Sequence, residues 1–483
     1  MKVVAVDQGT TGTKSYTLSD NGQFAAVAGF EHRQIYPRPG WVEHDPEELL
    51  RHVTDAIAAA GPVDGIGIDN QGETIVAWDA ATGRPIYNAI VWQDDRTNAF
   101  TARLKADGAE ELTLSVAGLP LDPYFSASKL RWIIDHVPEA KELLKADRLR
   151  LGTSDSFFLA RLTGTFATDV TTASRTSLMS LATLQWDEGL CALFGVPVSC
   201  LPEIRATAGP FGEHRGVPVT ASLVDQQAAL FGHGCAKRGD IKITFGTGAF
   251  ALSVAGPERV DDSRFGILPT VAWKISQSPT CFALEGGVYN AASAVNWARD
   301  LGLFSSYEEI NGFDAEPAIL RDLAFVPALS GLGCPHWDRR ASGMWIGLGL
   351  DTTRADMMQC LIEGVVLRTA EVIEAMSGLV SIGENISVDG GMAKNAYLLR
   401  FLADVTQKTV SVPSSKDLTA LGTARMAMLG VGATSLPSLP QTELTVTPSG
   451  SYGPAARERF AEALARARGW KHGTGNDLAA ADQ

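Results

Sequence analysis

Apolar runs and polar turns alternate along the chain in a way that predicts a mixed α/β architecture. Lys2 to Asp7 is a nearly unbroken apolar run ending on a carboxylate, the pattern of a strand covered on both faces. Gln8–Gly9–Thr10–Thr11–Gly12–Thr13–Lys14 turns the chain, and Ser15 to Leu18 returns it as a second strand. Ile243 to Leu252 follows the same plan at the start of the second half, with Phe245–Gly246–Thr247–Gly248–Ala249–Phe250 as its glycine turn. Either hairpin alone is ordinary; placed at the head of each half, the two predict a duplicated domain. Between them the pattern predicts a helix over Pro46–Ala60 and strands over Gly65–Asp69 and Ile75–Asp79. A short strand into Trp92 and a helix over Ser128–His136 follow, the latter behind the proline turn Leu121–Ser126. Thr153–Ser156 and Thr171–Thr176 read as structural polar linkers. Beyond the second hairpin come a strand over Phe282–Leu284, helices over Ala291–Asp300 and Asp356–Met376, and the strand Ile386–Asp389. Helices over Asn395–Val405 and Asp417–Leu429 precede a polar, frayed tail from Gly473. In the long loop Pro327–Asp338, His336 and Trp337 read as packing residues.

The segment Leu223–Phe250 joins the halves. A strand-like approach through Val219, Ala221 and Leu223 leads to Asp225 at a helix N-cap position, and Gln226–Phe231 reads as the helix. Gly232 and Gly234 end it, and Lys237–Arg238–Gly239–Asp240 is the expected hinge. With 483 residues the chain exceeds one hydrophobic core, so domains over 1–236 and 237–483 are expected. The formal charge of −14 argues against nucleic acid and anionic membrane as partners. Six scattered cysteines without a CxxC pair read as thiols in a reducing compartment. The chain starts on a strand and carries no apolar run of membrane-spanning length, so a cytoplasmic protein is expected.

The chemistry lies where strands end. Backbone N–H groups on Gly-Thr turns form anion-binding nests, and the Asp389–Gly390–Gly391 helix entry favours a phosphate or nucleotide edge. Gln71 and Glu73 stand at a strand edge, where binding groups are often mounted; Trp92 taken alone reads as core.

Taken together, Asp7–Gln8–Gly9–Thr10–Thr11, Asn70–Gln71–x–Glu73–Thr74, Tyr87–Gln93, Asp122–Ser126 and Asp225–Gly232 resemble the FGGY family of sugar and polyol kinases, its glycerol kinases above all. Phe245–Gly248, Ala283–Gly286 and Val388–Gly391 fit in the same order, and the likeness runs from residue 1 to about 470. It implies two ribonuclease-H-like (actin-like ATPase) α/β domains with an interdomain cleft, ATP and Mg2+ as cosubstrates, and closure on binding. By resemblance, Asp225 is the general base and Asp7 the carboxylate that holds Mg2+. Thr10, Thr11, Gly12 and Lys14 line up with the phosphate hairpin, where Lys14 replaces an arginine and loses its planar fork. Thr247, Gly248, Gly391 and Asn395 match the ATP side; Ala292 and Asn296 stand where the family has glycine and glutamine. Glu73, Tyr124 and Gln226 resemble polyol-binding residues, with Trp92 and Phe250 as the apolar wall.

One departure concerns specificity. The family carries arginine in the motif NQRET, and this chain has Gly72, which suggests room for a longer acceptor unless another group, such as Arg96, reaches the spot. The family's glycine loop for sugar-phosphate inhibition has no counterpart near Gly212–Val217. The leading expectation is an ATP-dependent kinase for glycerol or a similar small polyol. The alternatives are a kinase for a tetritol or ketose, and an actin-like ATPase with no small-molecule acceptor. A homo-oligomer, dimer or tetramer, is left open.

Overall fold

The computed structural model describes residues 1–260 and 266–471; the tail expected to fray from Gly473 lies outside them. The first half builds a sheet from β1 (Lys2–Gln8), β2 (Gly12–Ser19) and β3 (Phe24–Glu31), then, after α1 (Pro46–Ala59), from β4 (Gly65–Asn70) and β5 (Val217–Val224). Helix α2 (Asp225–Gly232) follows β5. The second half repeats the scheme with β6 (Ile241–Phe245), β7 (Ala249–Gly256), an added β8 (Leu268–Trp273) and β9 (Cys281–Val288). After α3 (Arg354–Ser377) come β10 (Asn385–Asp389), β11 (Thr409–Pro413) and α4 (Leu418–Val431). Within a six-stranded and a seven-stranded sheet these strands run in the order β5-β4-β1-β2-β3 and β11-β10-β6-β7-β9-β8. In each, the opening hairpin is antiparallel and the later strands run parallel to its first member. The two hairpins of like design therefore mark a true structural repeat.

Both faces of β1 are covered, which explains its unbroken apolar sequence. Val4 and Val6 pack toward α1 with Leu49, Val53 and Ile68. Val3 and Ala5 face the other way, into a cluster with Leu421, Ala424 and Met428 of α4 and Leu252 and Val254 of β7. One core is thus shared between the halves. Its tightest point is the crossing of α2 and α4. A Cβ on Gly232 would stand 1.9 Å from the Leu418 carbonyl oxygen, and one on Gly422 would stand 1.8 Å from that of Ala228. Only glycine at both positions lets the backbones approach so closely.

Three expectations change. The turn Lys237–Asp240 is stitched to the second half, with Gly239 donating to Val254 O and accepting from Gly383 N, both at 2.9 Å. Thr153–Ser156 opens the helix Ser154–Thr163, and Thr171–Thr176 spans the end of a short helix, Val170–Ala173, that Asp169 caps. The strand before Trp92 is only Ala89–Ile90. All six cysteines are free thiols, as expected. No helix among the described residues is long and apolar enough to cross a membrane.

Candidate active site

The parallel strands deliver carboxylates to one end of the first sheet. Asp7 closes β1 and pairs in register with Asp69 on β4 and with Lys14 on β2. Val224 pairs with Asn70, so Asp225, the first residue of α2, emerges just beyond the same edge. Strand carboxyl ends are where open α/β sheets bind ligands. Burial is the main force raising these carboxyls. Asp69 is pushed well above its ordinary range by burial and by Asp7, and Asp7 is raised by burial. Asp225 is raised to about 7 by burial and then by Asp7 and Glu73, against a lowering pull from Lys242. Asp225 Oδ1 accepts from Gln226 N at 2.7 Å. Asp69 Oδ2 accepts from Thr423 Oγ1 of α4 at 2.6 Å, and the Asp69 carboxyl also hydrogen-bonds that of Asp7.

Beside Asp225 lies a cavity of ≈ 60 Å³. Trp92, Tyr124 and Phe250 form its aromatic wall, with Trp92 edge-on to Tyr124 at 5.7 Å and to Phe250 at 6.5 Å between centroids. Trp92 Nε1 donates to Thr10 Oγ1 at 3.0 Å, so the wall is tied to the tip of the first hairpin. Gln226 Oε1 accepts from the buried Lys242 at 2.6 Å, which fixes the amide beside the cavity. Glu73 adopts φ 60°, a left-handed backbone uncommon for such a residue, and Ser126 Oγ donates to its carbonyl at 3.0 Å. Its carboxyl is raised to about 6, by burial against the pull of Arg175. The turn bearing Tyr124 is clamped from below, where Lys129 Nζ donates to the carbonyls of Pro123, Tyr124 (2.7 Å) and Phe125 (3.3 Å).

The structure thus gathers Thr10, Glu73, Trp92, Tyr124, Asp225, Gln226 and Phe250 around one space. It adds Arg175 and Glu285, which the sequence reading left without a role. Arg175 sits in a run of small polar residues that looks like a connector, and only its tertiary partners mark it out. Arg96 does not reach the cavity. Its side chain is fully buried, paired at 2.7 Å with both Glu43 and Asp94, and lies against Trp41 at 3.8 Å and Trp132 at 4.6 Å. Gly72 itself lines the cavity, and a Cβ there would stand 3.0 Å from Val224 Cγ1, so the group adjoining this position is an apolar methyl.

On the opposite side the second hairpin and the Asp-Gly-Gly turn come together. A Cβ on Gly390 would meet Phe245 O at 2.3 Å, so the turn is seated against the hairpin, while nothing stands within 4 Å of a Cβ on Gly391. Gly12 and Gly248 are required at the hairpins by Phe30 O at 2.7 Å and Val288 O at 2.5 Å. Thr11 and Lys14 are exposed at the first tip. Thr247 O accepts from Ala291 N and Ser293 N, and Gly246 O from Ala292 N, which docks the helix Ala292–Asp300 on the turn. Asn296 Oδ1 accepts from Tyr307 Oη at 2.8 Å. Asn395 caps the helix Ala396–Thr406 through Leu398 N at 2.8 Å and donates to Ile310 O at 2.7 Å. The polar side chains of both asparagines therefore hold protein structure, and the open surface on this side is at Gly391.

Among the described residues no three His, Cys, Asp or Glu side chains form a ready-made metal cage. The Asp7–Asp69 carboxyl pair at this strand edge suits a hard cation that keeps waters and borrows phosphate oxygens, as Mg2+ does.

Residues 2–232 match the N-terminal domain, and 241–431 the C-terminal domain, of the FGGY family of carbohydrate kinases. The glycerol kinase of Saccharopolyspora erythraea is 42% identical over 451 residues, 89% of this chain and 90% of that one. That of Methylorubrum extorquens is 44% identical, with 89% of each chain covered. The crystal structure of Plasmodium falciparum glycerol kinase with ADP superposes with a TM-score of 0.89 at 29% identity, covering 96% of this chain and 98% of that one. A gluconate kinase from Lactobacillus acidophilus shares the fold at a TM-score of 0.87 and 20% identity, over 100% of this chain and 98% of its own.

Proposed function

The chain belongs to the FGGY family of carbohydrate kinases, and from that premise we propose that it moves the γ-phosphoryl group of ATP to a hydroxyl of glycerol, with Asp225 as general base. As a member of that family it is an ATP-dependent carbohydrate or polyol kinase. The observation that carries the proposal is the cavity at Asp225. Its ≈ 60 Å³ suits a small acceptor held between the aromatic wall and Asp225. Glycerol rather than a longer acceptor is favoured by the relatives at 42% and 44% identity, which are glycerol kinases. An actin-like ATPase that only moves a partner would have no use for such a cavity.

In this reading the aromatic wall holds the carbon chain, and Glu73 and Gln226 orient hydroxyls. Asp225, poised near neutrality, takes the proton of the attacking one. Positioning and electrostatics supply most of the rate of phosphoryl transfer. Thr10, Thr11, Gly12 and Lys14 would face the transferred phosphate, while Thr247, Gly248 and the open Gly391 would face the rest of the nucleotide. Ala292 and Asn296 would flank it through backbone and shape, with Asn395 shaping the Gly391 turn. Asp7, helped by Asp69, would hold Mg2+, which supplies positive charge for the β- and γ-phosphates. Residues 1–236 would supply most of the polyol and phosphate contacts and 237–483 those to nucleotide, except that Phe250 of β7 and Glu285 of β9 reach the polyol side.

The test is acceptor-dependent ADP release across glycerol, erythritol, threitol, xylitol, dihydroxyacetone and ketopentoses, with the product identified by phosphorus NMR. Glycerol should give the highest kcat/KM. A longer polyol or ketose outperforming it, or no acceptor-dependent release at all, would overturn the assignment.

A further inference from the structure

Among the described residues lining the acceptor cavity, Arg175 is the one cation. Its side chain is 1% exposed and held in plane from two sides. Nε donates to Glu73 Oε1 at 2.7 Å and Nη2 to Glu285 Oε1 at 3.1 Å. These carboxylates come from different halves of the chain, Glu73 from the turn after β4 and Glu285 from β9. The guanidinium carbon stands 5.9 Å from the Tyr124 ring centroid. The remaining nitrogen, Nη1, is buried and has no partner. Folded proteins seldom leave a buried donor on a charged group unmatched without a use for it.

We infer that Arg175 is an acceptor-recognition residue, with Nη1 donating a hydrogen bond to a hydroxyl of the bound polyol other than the one phosphorylated. This rests on the kinase reading above and assigns it a specificity group. Position 72 offers no side chain, and Arg96 is closed off by Glu43 and Asp94, so no second cation can take the role. The same arrangement fixes the charge of the acceptor. Glu73, Glu285 and Asp225 outnumber the single guanidinium, which two of them already neutralise, so the site takes an uncharged polyol and repels an aldonate or other sugar acid. Because the two carboxylates belong to the two halves, the guanidinium is set for the acceptor only when the halves are together.

The experiment compares Arg175→Lys with wild type, in the full chain, on glycerol, propane-1,2-diol and propane-1,3-diol, the diols each lacking one hydroxyl. Losing a hydrogen bond from a charged donor should lower kcat/KM for glycerol about 10- to 100-fold, mainly through KM, with KM for ATP unchanged. The diol lacking the contacted hydroxyl should lose no more than about 2-fold on substitution, since that contact is already missing. Equal losses on all three acceptors would make Arg175 a keeper of the ion pairs only. No loss on any would mean that Nη1 is satisfied by water, and either result overturns the inference. If Arg175→Lys does not fold, Arg175→Met with Glu285→Gln removes one buried carboxylate along with the cation and allows the same comparison. Wild type inert on all three acceptors would instead sink the glycerol assignment on which the inference rests.

Discussion

Replacing Asp225 with asparagine should make the protein slower and more stable at once. A carboxyl raised from 3.8 to about 7 in the folded state is one that the fold prefers neutral. Its favourable contribution is present below pH 4 and is lost as pH rises through 7, because the folded protein then carries a charge that burial and Asp7 oppose. A shift of roughly three units corresponds to about 4 kcal/mol at most. The side chain is partly open to the cavity, whose water screens it, so about 1–3 kcal/mol is the expected gain for Asp225→Asn above pH 8. Urea unfolding at pH 8 and pH 5 reads this directly: the variant should lead at pH 8, and the lead should shrink toward pH 5 as wild type takes up its proton. Turnover should fall about 10²- to 10⁴-fold with polyol binding kept, and the wild-type rate should decline below pH 7 as the base protonates. Near-normal turnover would remove Asp225 from the mechanism, and a stability gap indifferent to pH would remove the desolvated carboxylate as its cause.

Other perturbations separate the remaining parts. Asp7→Ala should reduce Mg2+-dependent turnover far more than nucleotide-free glycerol binding, and equal damage to both by calorimetry would make Asp7 a structural residue. Gly72→Arg should be poorly tolerated alone, because its Cβ would meet Val224 at 3.0 Å, and Val224→Ala in the same chain should restore folding and raise kcat/KM for glycerol. A double variant no better than the single one, by thermal melt and kinetics, would show that Val224 is not the obstruction. Small-angle scattering should register compaction when glycerol and an unreactive ATP analogue are both present, by sliding at the α2–α4 crossing. A Gly422→Ala variant that still compacts normally would move the pivot elsewhere.

Sequence reading succeeded wherever a local pattern has one physical cause. The apolar run before Asp7 could only be a doubly covered strand, and the Gly-Thr turns at Gly12 and Gly248 are glycines because carbonyls crowd them. Asp225 was visible because a carboxylate at a strand-to-helix junction stands out against apolar neighbours. What stayed hidden depends on residues far apart in the chain. Arg175 gains its meaning from Glu73 and Glu285, about a hundred residues away on either side. Asp69 reads as a strand end until register places it against Asp7. Arg96 looks free in a loop, yet Trp41 and Trp132 enclose it. Gly72 lines the cavity, as its missing side chain suggested, whereas the Val224 methyl beside it could not be read from sequence.

The shared core also sets an order of events during synthesis. Val3 and Ala5 are among the first residues made, but the helix that covers them, Leu418–Val431, is among the last. At about 5–20 residues per second, the roughly two hundred residues between the first half and the end of that helix take on the order of 10–40 s to emerge. Through that interval the nascent first sheet keeps α1 on one face and an open apolar face on the other, a natural client for a ribosome-side chaperone. Severing the chain near residue 236 would make this state permanent, leaving a fragment that recovers its fold only when the second half is supplied beside it.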